Sequence, residues 1–194
     1  MGIHYGICPN CGSNNTVEFV YGLPTYELFL EAEEGKVKLG GCLRYQENSP
    51  DYYCKDCHFE WTKQQAIDYT YNKIKAVKIS YGQVRKDFYQ INIDMEDLLL
   101  SWEHLYEISL GEKIKPISRQ TAGNFVQQLK RVHLLNWDTA YRRSSATEGT
   151  QWQVEIMTDD DDPISKAGIN EFPEEWGMFR SLIEVMAGEK LYND

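Results

Sequence analysis

Apolar and polar residues alternate along several stretches of this chain, and this alternation predicts strands that bury one face. The clearest stretches lie at residues 16–21, 77–81, 89–93 and 152–156. Shorter extended patterns occupy residues 36–39 and begin again at Ile164. The chain is therefore expected to contain at least two antiparallel pairs of strands joined by turns.

Residues 94–106 fit two different structures. Leu98, Leu100 and Trp102 alternate as they would in a strand. Taken together with Leu105 and Tyr106, the same residues also fit a helix capped at Asp94. We favour the strand and keep the helix as the alternative.

Three stretches have helical periodicity, at residues 25–34, 118–132 and 173–187. Gly35 and Gly188 follow the first and the last of them, where a glycine commonly ends a helix. The residues expected to face a core are Tyr26, Phe29 and Leu30 in the first, Ala122, Phe125, Val126 and Leu129 in the second, and Trp176, Phe179, Leu182, Ile183 and Met186 in the third.

The order of these elements predicts an α+β protein with two domains. Residues 1–62 are expected to form a small module whose helix is inserted between strands. Residues 63–194 are expected to form an antiparallel sheet with the order β-β-β-α-β-β-α and helices on one side, beginning with a connector at 63–71.

Two cysteine pairs carry the clearest chemistry of the chain. Each Cys-x-x-Cys turn, at Cys8-Pro9-Asn10-Cys11 and Cys54-Lys55-Asp56-Cys57, can present two thiolates to one point. Gly12 and His58 follow the two pairs at equivalent positions, where the returning backbone often needs a positive φ. The metal ligands are therefore predicted to be Cys8, Cys11, Cys54 and Cys57, which would hold a structural Zn²⁺.

Four cysteine ligands leave no open position on the metal, so the site is expected to stabilise the module without catalysing a reaction. Iron in a rubredoxin-like site would use the same four sulfurs and is the alternative metal. Phe59 and Trp61 are expected to shield the metal from water. Cys42 is interpreted as a small buried thiol, with a redox role or an alternative ligand as the other interpretations.

The segment from Cys8 to Trp61 resembles the zinc-ribbon modules of bacterial proteins of unassigned function. The resemblance rests on the cysteine spacing and on the runs Tyr21-Gly22-Leu23-Pro24, Leu39-Gly40-Gly41-Cys42 and Tyr53-Cys54-Lys55-Asp56-Cys57. It implies a zinc-ribbon fold and a bound metal, and it transfers no activity. The runs at residues 149–152, 168–170 and 172–176 more loosely resemble small bacterial α+β domains and imply architecture alone.

The charge of the chain is acidic, with 20 Lys and Arg against 30 Asp and Glu. Residues 1–62 carry 4 of the basic and 9 of the acidic residues, so the metal module is itself negative. This balance disfavours nucleic acid as a partner because binding depends on neutralising many phosphates. Free thiols, with no signal peptide or membrane span evident, favour the cytoplasm.

Other candidate sites have simpler structural explanations. The four histidines are scattered, and no nucleophile elbow or phosphate-binding loop is present, so the chain is not expected to be an enzyme. Asp159 to Asp162 lack the ligand spacing of a calcium loop and are expected to form a solvated turn. Arg142-Arg143, behind Tyr141, form the best basic and aromatic cluster in the chain.

The sequence therefore predicts a non-catalytic zinc protein that acts as a protein-interaction or adaptor module. The first alternative is a nucleic-acid-associated regulator that uses the ribbon or the Arg142-Arg143 loop. The second is an acidic decoy or inhibitor in conflict between phage and host. Neither the partner nor the oligomeric state follows from the sequence.

Overall fold

The computed structural model of the protein describes residues 3–44, 49–83, 86–106, 111–142, 149–159, 162–188 and 190. The chain divides into two compact units, the N-terminal unit of residues 3–72 and the C-terminal unit of residues 73–194. Both contain helices and a sheet, which confirms the α+β class. Among the described residues, no helix is both long and apolar enough to cross a lipid bilayer.

The N-terminal unit contains four strands and two helices within its described residues. They are β1 (Thr16–Val20), α1 (Tyr26–Glu33), β2 (Val37–Leu39), β3 (Tyr52–Cys54), β4 (Glu60–Trp61) and α2 (Lys63–Asn72). The sheet order is β2-β1-β3-β4. Strand β1 pairs antiparallel with β3 and parallel with β2, so α1 is the crossover between two neighbouring strands.

The boundary between the units lies ten residues after the predicted one. Residues 63–71 were expected to be a connector, but they belong to α2. Ala66 of this helix is buried in the same cluster as Cys8, Cys54 and Trp61. The helix therefore completes the core of the N-terminal unit, and its polar sequence hid that role.

Helix α1 begins and ends near its predicted limits, but the side of the helix that was expected to face the core faces solvent. The Thr25 hydroxyl caps it by accepting the Leu28 N–H at 3.3 Å. The residues expected in the core are exposed, with Tyr26 at 73%, Phe29 at 46% and Leu30 at 39%. Leu28 and Ala32, one turn apart on a different face, are half-buried instead. Periodicity identified a shared apolar face but could not show whether the rest of the unit covers it.

The two glycine-containing runs of the N-terminal unit meet at the far end of β1. The Gly22 N–H donates to the Gly41 carbonyl at 2.9 Å, and the Gly40 N–H donates to the Val20 carbonyl at 2.9 Å. The Tyr21 ring lies so close to Gly40 that a Cβ atom there would approach it to 2.3 Å. These glycines therefore allow the chain to close tightly where the crossover begins and ends.

Within its described residues, the C-terminal unit has seven strands in one sheet and two α-helices. They are β5 (Ala76–Gln83), β6 (Asp87–Asp94), β7 (Leu99–His104), β8 (Lys113–Pro116), α3 (Arg119–Arg131), β9 (Ala140–Arg142), β10 (Thr150–Met157), β11 (Ile164–Ile169) and α4 (Trp176–Ala187). The sheet order is β8-β7-β6-β5-β10-β11-β9. The strand favoured within 94–106 is confirmed as β7.

Two strands, β8 and β9, were absent from the predicted order β-β-β-α-β-β-α. Both lie at sheet edges, and β9 pairs parallel with β11, so the sheet is not purely antiparallel. They are short, and most of their residues are exposed. An exposed edge strand buries no alternating face, so it leaves no period-two pattern in the sequence.

One face of the seven-stranded sheet provides the core of the unit. Ile79 lies opposite Ile91 on one neighbouring strand and Val154 on the other, and all three are buried. Facing residues from the helices are also buried, as predicted for Ala122, Phe125, Leu129, Trp176, Phe179, Ile183 and Met186. Val126 and Leu182 are half-buried. The Ser118 hydroxyl caps α3 by accepting the Thr121 N–H.

A cluster of aromatic rings fills one end of this core. Trp152 and Trp176 have ring centroids 4.7 Å apart, and Trp137 contacts both of them. Beside the cluster, the buried Lys166 amino group donates to the backbone carbonyls of Leu135 and Trp137. Burial lowers the pKa of Lys166. The two carbonyls supply hydrogen-bond partners that the buried amine would otherwise lack.

Gly168 is expected to be intolerant of any side chain because of this packing. An added Cβ would lie 2.3 Å from Trp152 Nε1 and 2.6 Å from the Glu171 carbonyl oxygen. We expect Gly168→Ala to lower the free energy of unfolding of the C-terminal unit by about 1–3 kcal/mol, the usual cost of overpacking. Urea denaturation followed by tryptophan fluorescence measures this change.

Gly123→Ala is the matched control. Gly123 is exposed within α3, and a Cβ there has no atom within 4 Å. We expect this variant to gain about 0.5–1 kcal/mol because alanine loses less backbone entropy in a helix. Equal effects of the two substitutions would contradict the packing described at Gly168.

Candidate metal centre

The two Cys-x-x-Cys segments adopt the same local structure. The Gly12 N–H donates to the Cys8 carbonyl at 2.9 Å, and the His58 N–H donates to the Cys54 carbonyl at 3.0 Å. Gly12 has φ 73° and His58 has φ 61°, which confirms the predicted positive φ at both positions. Each segment therefore forms one tight turn that directs both of its sulfurs to the same side.

The four predicted ligands converge. The Sγ atoms of Cys8, Cys11, Cys54 and Cys57 all lie within 4.8 Å of one another. Cys8 Sγ is 3.5 Å from Cys57 Sγ, and Cys11 Sγ is 3.6 Å from Cys54 Sγ. Thiolates bound tetrahedrally with metal–sulfur bonds of ~2.3 Å would be ~3.8 Å apart, so this spacing suits a metal ion.

Hydrogen bonds to one of the sulfurs, that of Cys57, favour its thiolate form by lowering its pKa. The Asn10 side-chain amide, 3.5 Å from Cys57 Sγ, and the Phe59 backbone N–H lower the pKa of Cys57 to about 6. The pKa of Cys11 is raised to about 12: the Ser13 backbone N–H lowers it, but Cys57, burial and the other two thiols outweigh that effect. Metal binding must displace the remaining thiol protons, so acid competes with the metal.

Asp56 links the two turns, a role that was not predicted from the sequence. Its carboxylate accepts hydrogen bonds from the Ser13 hydroxyl at 2.5 Å and from the Asn15 amide at 2.7 Å. These bonds lower the pKa of Asp56. The sequence contained one signal for this role: an acidic residue lies inside one Cys-x-x-Cys turn, and two small polar residues follow the other turn.

Trp61 covers one side of the cysteine cluster, as predicted, whereas Phe59 does not cover it fully. Trp61 is wholly buried, packs in a cluster with Cys8 and Cys54, and donates its indole N–H to the Tyr5 carbonyl at 3.0 Å. Phe59 stacks on Trp61 with a centroid distance of 6.3 Å but stays 38% exposed. The four-cysteine cluster is therefore buried on the Cys8 and Cys54 side and open to water near Cys11.

Cys42 is not the buried thiol that was predicted. It is exposed and lies outside the group formed by the other four cysteines. Strand β2 ends at Leu39, and the chain turns outward through Gly41, which has φ 92°. The structure therefore gives Cys42 no part in the predicted metal site.

The other sequence candidates do not form a second site in the described part of the chain. No further group of three or more His, Cys, Asp or Glu side chains has metal-binding spacing there. Asp159 forms an ion pair with Lys75, with 3.1 Å between its Oδ1 atom and Lys75 Nζ. Residues 160 and 161 lie outside the described ranges. His104 pairs with Asp87 at 2.9 Å.

Arg142 ends β9 and lines a cavity of about 270 Å³ on the face of the sheet opposite the helices. Ser80, Gln151 and Gln153 line the same cavity. Arg143 and the following residues to 148 lie outside the described part of the chain, so the predicted Arg142-Arg143 loop is described only at its first residue.

A groove of about 650 Å³ runs between α3 and α4. Its lining contains no charged side chain and includes the exposed Met178 and Val185, which are 59% and 78% accessible. This groove differs from α1, where apolar and acidic residues are mixed.

No protein-family model matches this chain, and a search of curated proteins also finds no match. The likeness to bacterial zinc ribbons therefore stays a prediction, carried by the cysteine spacing and the residues around it.

Replacing one buried ligand should abolish metal binding and unfold the N-terminal unit. Cys54→Ser removes a sulfur from the buried side of the site, and apparent metal-binding energies of ~10–16 kcal/mol can support a small domain. We expect residues 3–72 to lose protection in hydrogen exchange while residues 73–194 keep theirs. Elemental analysis should show the loss of metal in the same sample.

Cys42→Ser is the control, because it also removes one thiol but lies outside the cluster. It should keep the metal and the protection pattern of the parent chain. Full protection of residues 3–72 in metal-free Cys54→Ser would show that the metal does not support the fold of this unit.

Proposed function

We propose that the N-terminal unit is a zinc ribbon with a helical insertion. In this proposal Zn²⁺ is bound by Cys8, Cys11, Cys54 and Cys57 and has a structural role. Four thiolates fill a tetrahedral site, so no position remains for an activated water or a substrate. Four cysteines without a disulfide between them also suit a reducing compartment, and in this proposal the protein belongs to the cytoplasm.

The protein acts, in this proposal, as a non-catalytic interaction or adaptor module. The observation that supports it most directly is the apolar face of α1, which the N-terminal unit leaves exposed. Tyrosine and phenylalanine supply contact area at low entropic cost, and a contiguous exposed apolar surface commonly marks a binding site. A small unit would otherwise gain stability by burying these side chains.

Nucleic-acid binding is the alternative, and the ion pairs of the N-terminal unit weigh against it. Lys38 Nζ is 2.8 Å from Glu60, Arg44 is 2.8 Å from Asp51, and Lys36 Nζ is 2.6 Å from Glu34. Lys38 also lies over the Tyr53 ring, 3.5 Å from its centroid. These cations are neutralised within the unit, so they offer a phosphate backbone little net attraction.

A decoy that mimics nucleic acid is the second alternative. Such a surface needs closely spaced negative charge with few large apolar groups among the charges. Helix α1 combines its glutamates with exposed Tyr26 and Phe29. This mixture of apolar and acidic side chains suits contact with a protein partner. It suits less well the nucleic-acid-binding groove that a decoy would occupy, because such a groove is built to hold phosphates.

The identity of the metal can be tested directly. The purified chain is expected to be colourless and to carry one Zn²⁺ per molecule by elemental analysis. Visible absorption from thiolate-bound iron, with iron as the metal in stoichiometric amount, would support the rubredoxin-like alternative and overturn the zinc assignment.

The class of partner can be tested with the same preparation. We expect no shift of DNA or RNA by the full chain at low salt, and stable recovery of one protein partner by the parent chain and by Cys42→Ser. Cys54→Ser should lose that partner because it loses the fold of the ribbon. Nucleic-acid binding that weakens steeply with added salt would favour the regulator instead.

A further inference from the structure

Helix α1 and Leu23, just before it, present large apolar side chains to solvent. Leu23, Tyr26, Phe29 and Leu30 are all exposed, Leu23 and Tyr26 the most, at 86% and 73%. Tyr26, Phe29 and Leu30 are three and four residues apart, so they lie on one side of the helix. We call these four residues the α1 face.

Carboxylates lie beside the α1 face. The helix sequence Tyr26–Glu33 contains Glu27, Glu31 and Glu33 and no basic residue. Glu34 follows it and is paired with Lys36. The Glu27 backbone N–H and the Thr25 hydroxyl lower the pKa of Glu27. The α1 face is thus an apolar stripe with adjacent negative charge that is not paired within the helix.

This charge distribution argues against a second copy of the chain as the occupant. In a symmetric dimer the same patch meets itself, so the glutamates of one helix would lie against those of the other. The whole chain also carries a net charge of −10. Like charges brought together in an interface are unfavourable, whereas a basic partner would be both attracted and correctly oriented.

Strand pairing links the α1 face to the metal site. Helix α1 follows β1, and Thr16 of β1 is paired with Cys54 of β3. Loss of the metal would release β3 and therefore the strand from which α1 departs. The surface is present only when the ribbon is folded.

We propose that the α1 face binds a basic amphipathic segment of a partner protein. Apolar residues of that segment, spaced three and four apart, pack on Tyr26, Phe29 and Leu30, and Lys or Arg residues beside them pair with Glu27, Glu31 and Glu33. This inference rests on the proposed function, because it names the partner surface of the same interaction module.

A defined peptide tests the proposal. The probe is a labelled amphipathic helix of leucine and lysine, about five helical turns long, and the matched peptide has glutamate in place of lysine. Fluorescence anisotropy with the metal-loaded full chain should show saturable binding of the lysine peptide only. Phe29→Ser should weaken binding at least ~10-fold, the effect of losing an interfacial anchor.

Two further variants separate apolar contact from general charge attraction. Glu27→Gln with Glu31→Gln should weaken binding and reduce its dependence on salt. Val185→Ser is the matched control, because it removes an exposed apolar side chain, 78% accessible against 46% for Phe29, from the uncharged groove between α3 and α4. It should leave the affinity unchanged.

Several results would overturn the proposal. They are absence of saturable binding, unchanged affinity in Phe29→Ser, equal loss in Val185→Ser, or self-association in sedimentation that Phe29→Ser abolishes. Metal content and hydrogen exchange of each variant establish that the ribbon is intact. A natural partner that is lost by Cys54→Ser but kept by Phe29→Ser would leave the proposed function standing and remove only the α1 face.

Discussion

The convergence of four sulfurs is the constraint on which the N-terminal unit depends. Its buried cluster consists of Cys8, Tyr52, Cys54, Trp61 and Ala66, and two of these five residues are predicted ligands. A cluster this small cannot offset the entropy of ordering some 70 residues. The four-cysteine cluster is therefore the centre of the core, and Asp56 and Trp61 hold the two turns around it.

The features that the sequence predicted are those determined locally or by strict alternation. The Cys-x-x-Cys turns, with Gly12 and His58 at positive φ, depend on a few adjacent residues. The central strands bury alternate residues against helices, so their period of two is plain in the sequence. The edge strands β8 and β9 bury little and were missed for that reason.

Other features depend on contacts between distant residues. The periodicity of α1 showed that Tyr26 and Phe29 share a face but not whether that face is covered. The amino group of Lys166 in β11 donates to the carbonyls of Leu135 and Trp137 inside the unit, about 30 residues away along the chain, and nothing near Lys166 in the sequence indicates this contact. Cys42 was predicted to be buried because of its residue type, and the turn at Gly41 exposes it.

The parallel pairing of β1 with β2 has a consequence for how this unit can change. The chain leaves β1 at Val20 and returns at Val37, two points held on adjacent strands, with the hydrogen bonds at Gly22 and Gly40 closing the base. Residues 21–36 between them therefore form a replaceable insertion, here called the cassette, on a fixed base of paired strands, here called the stem. Sequences inside the cassette can diverge, or be exchanged by design, while the stem and the four sulfurs keep their geometry.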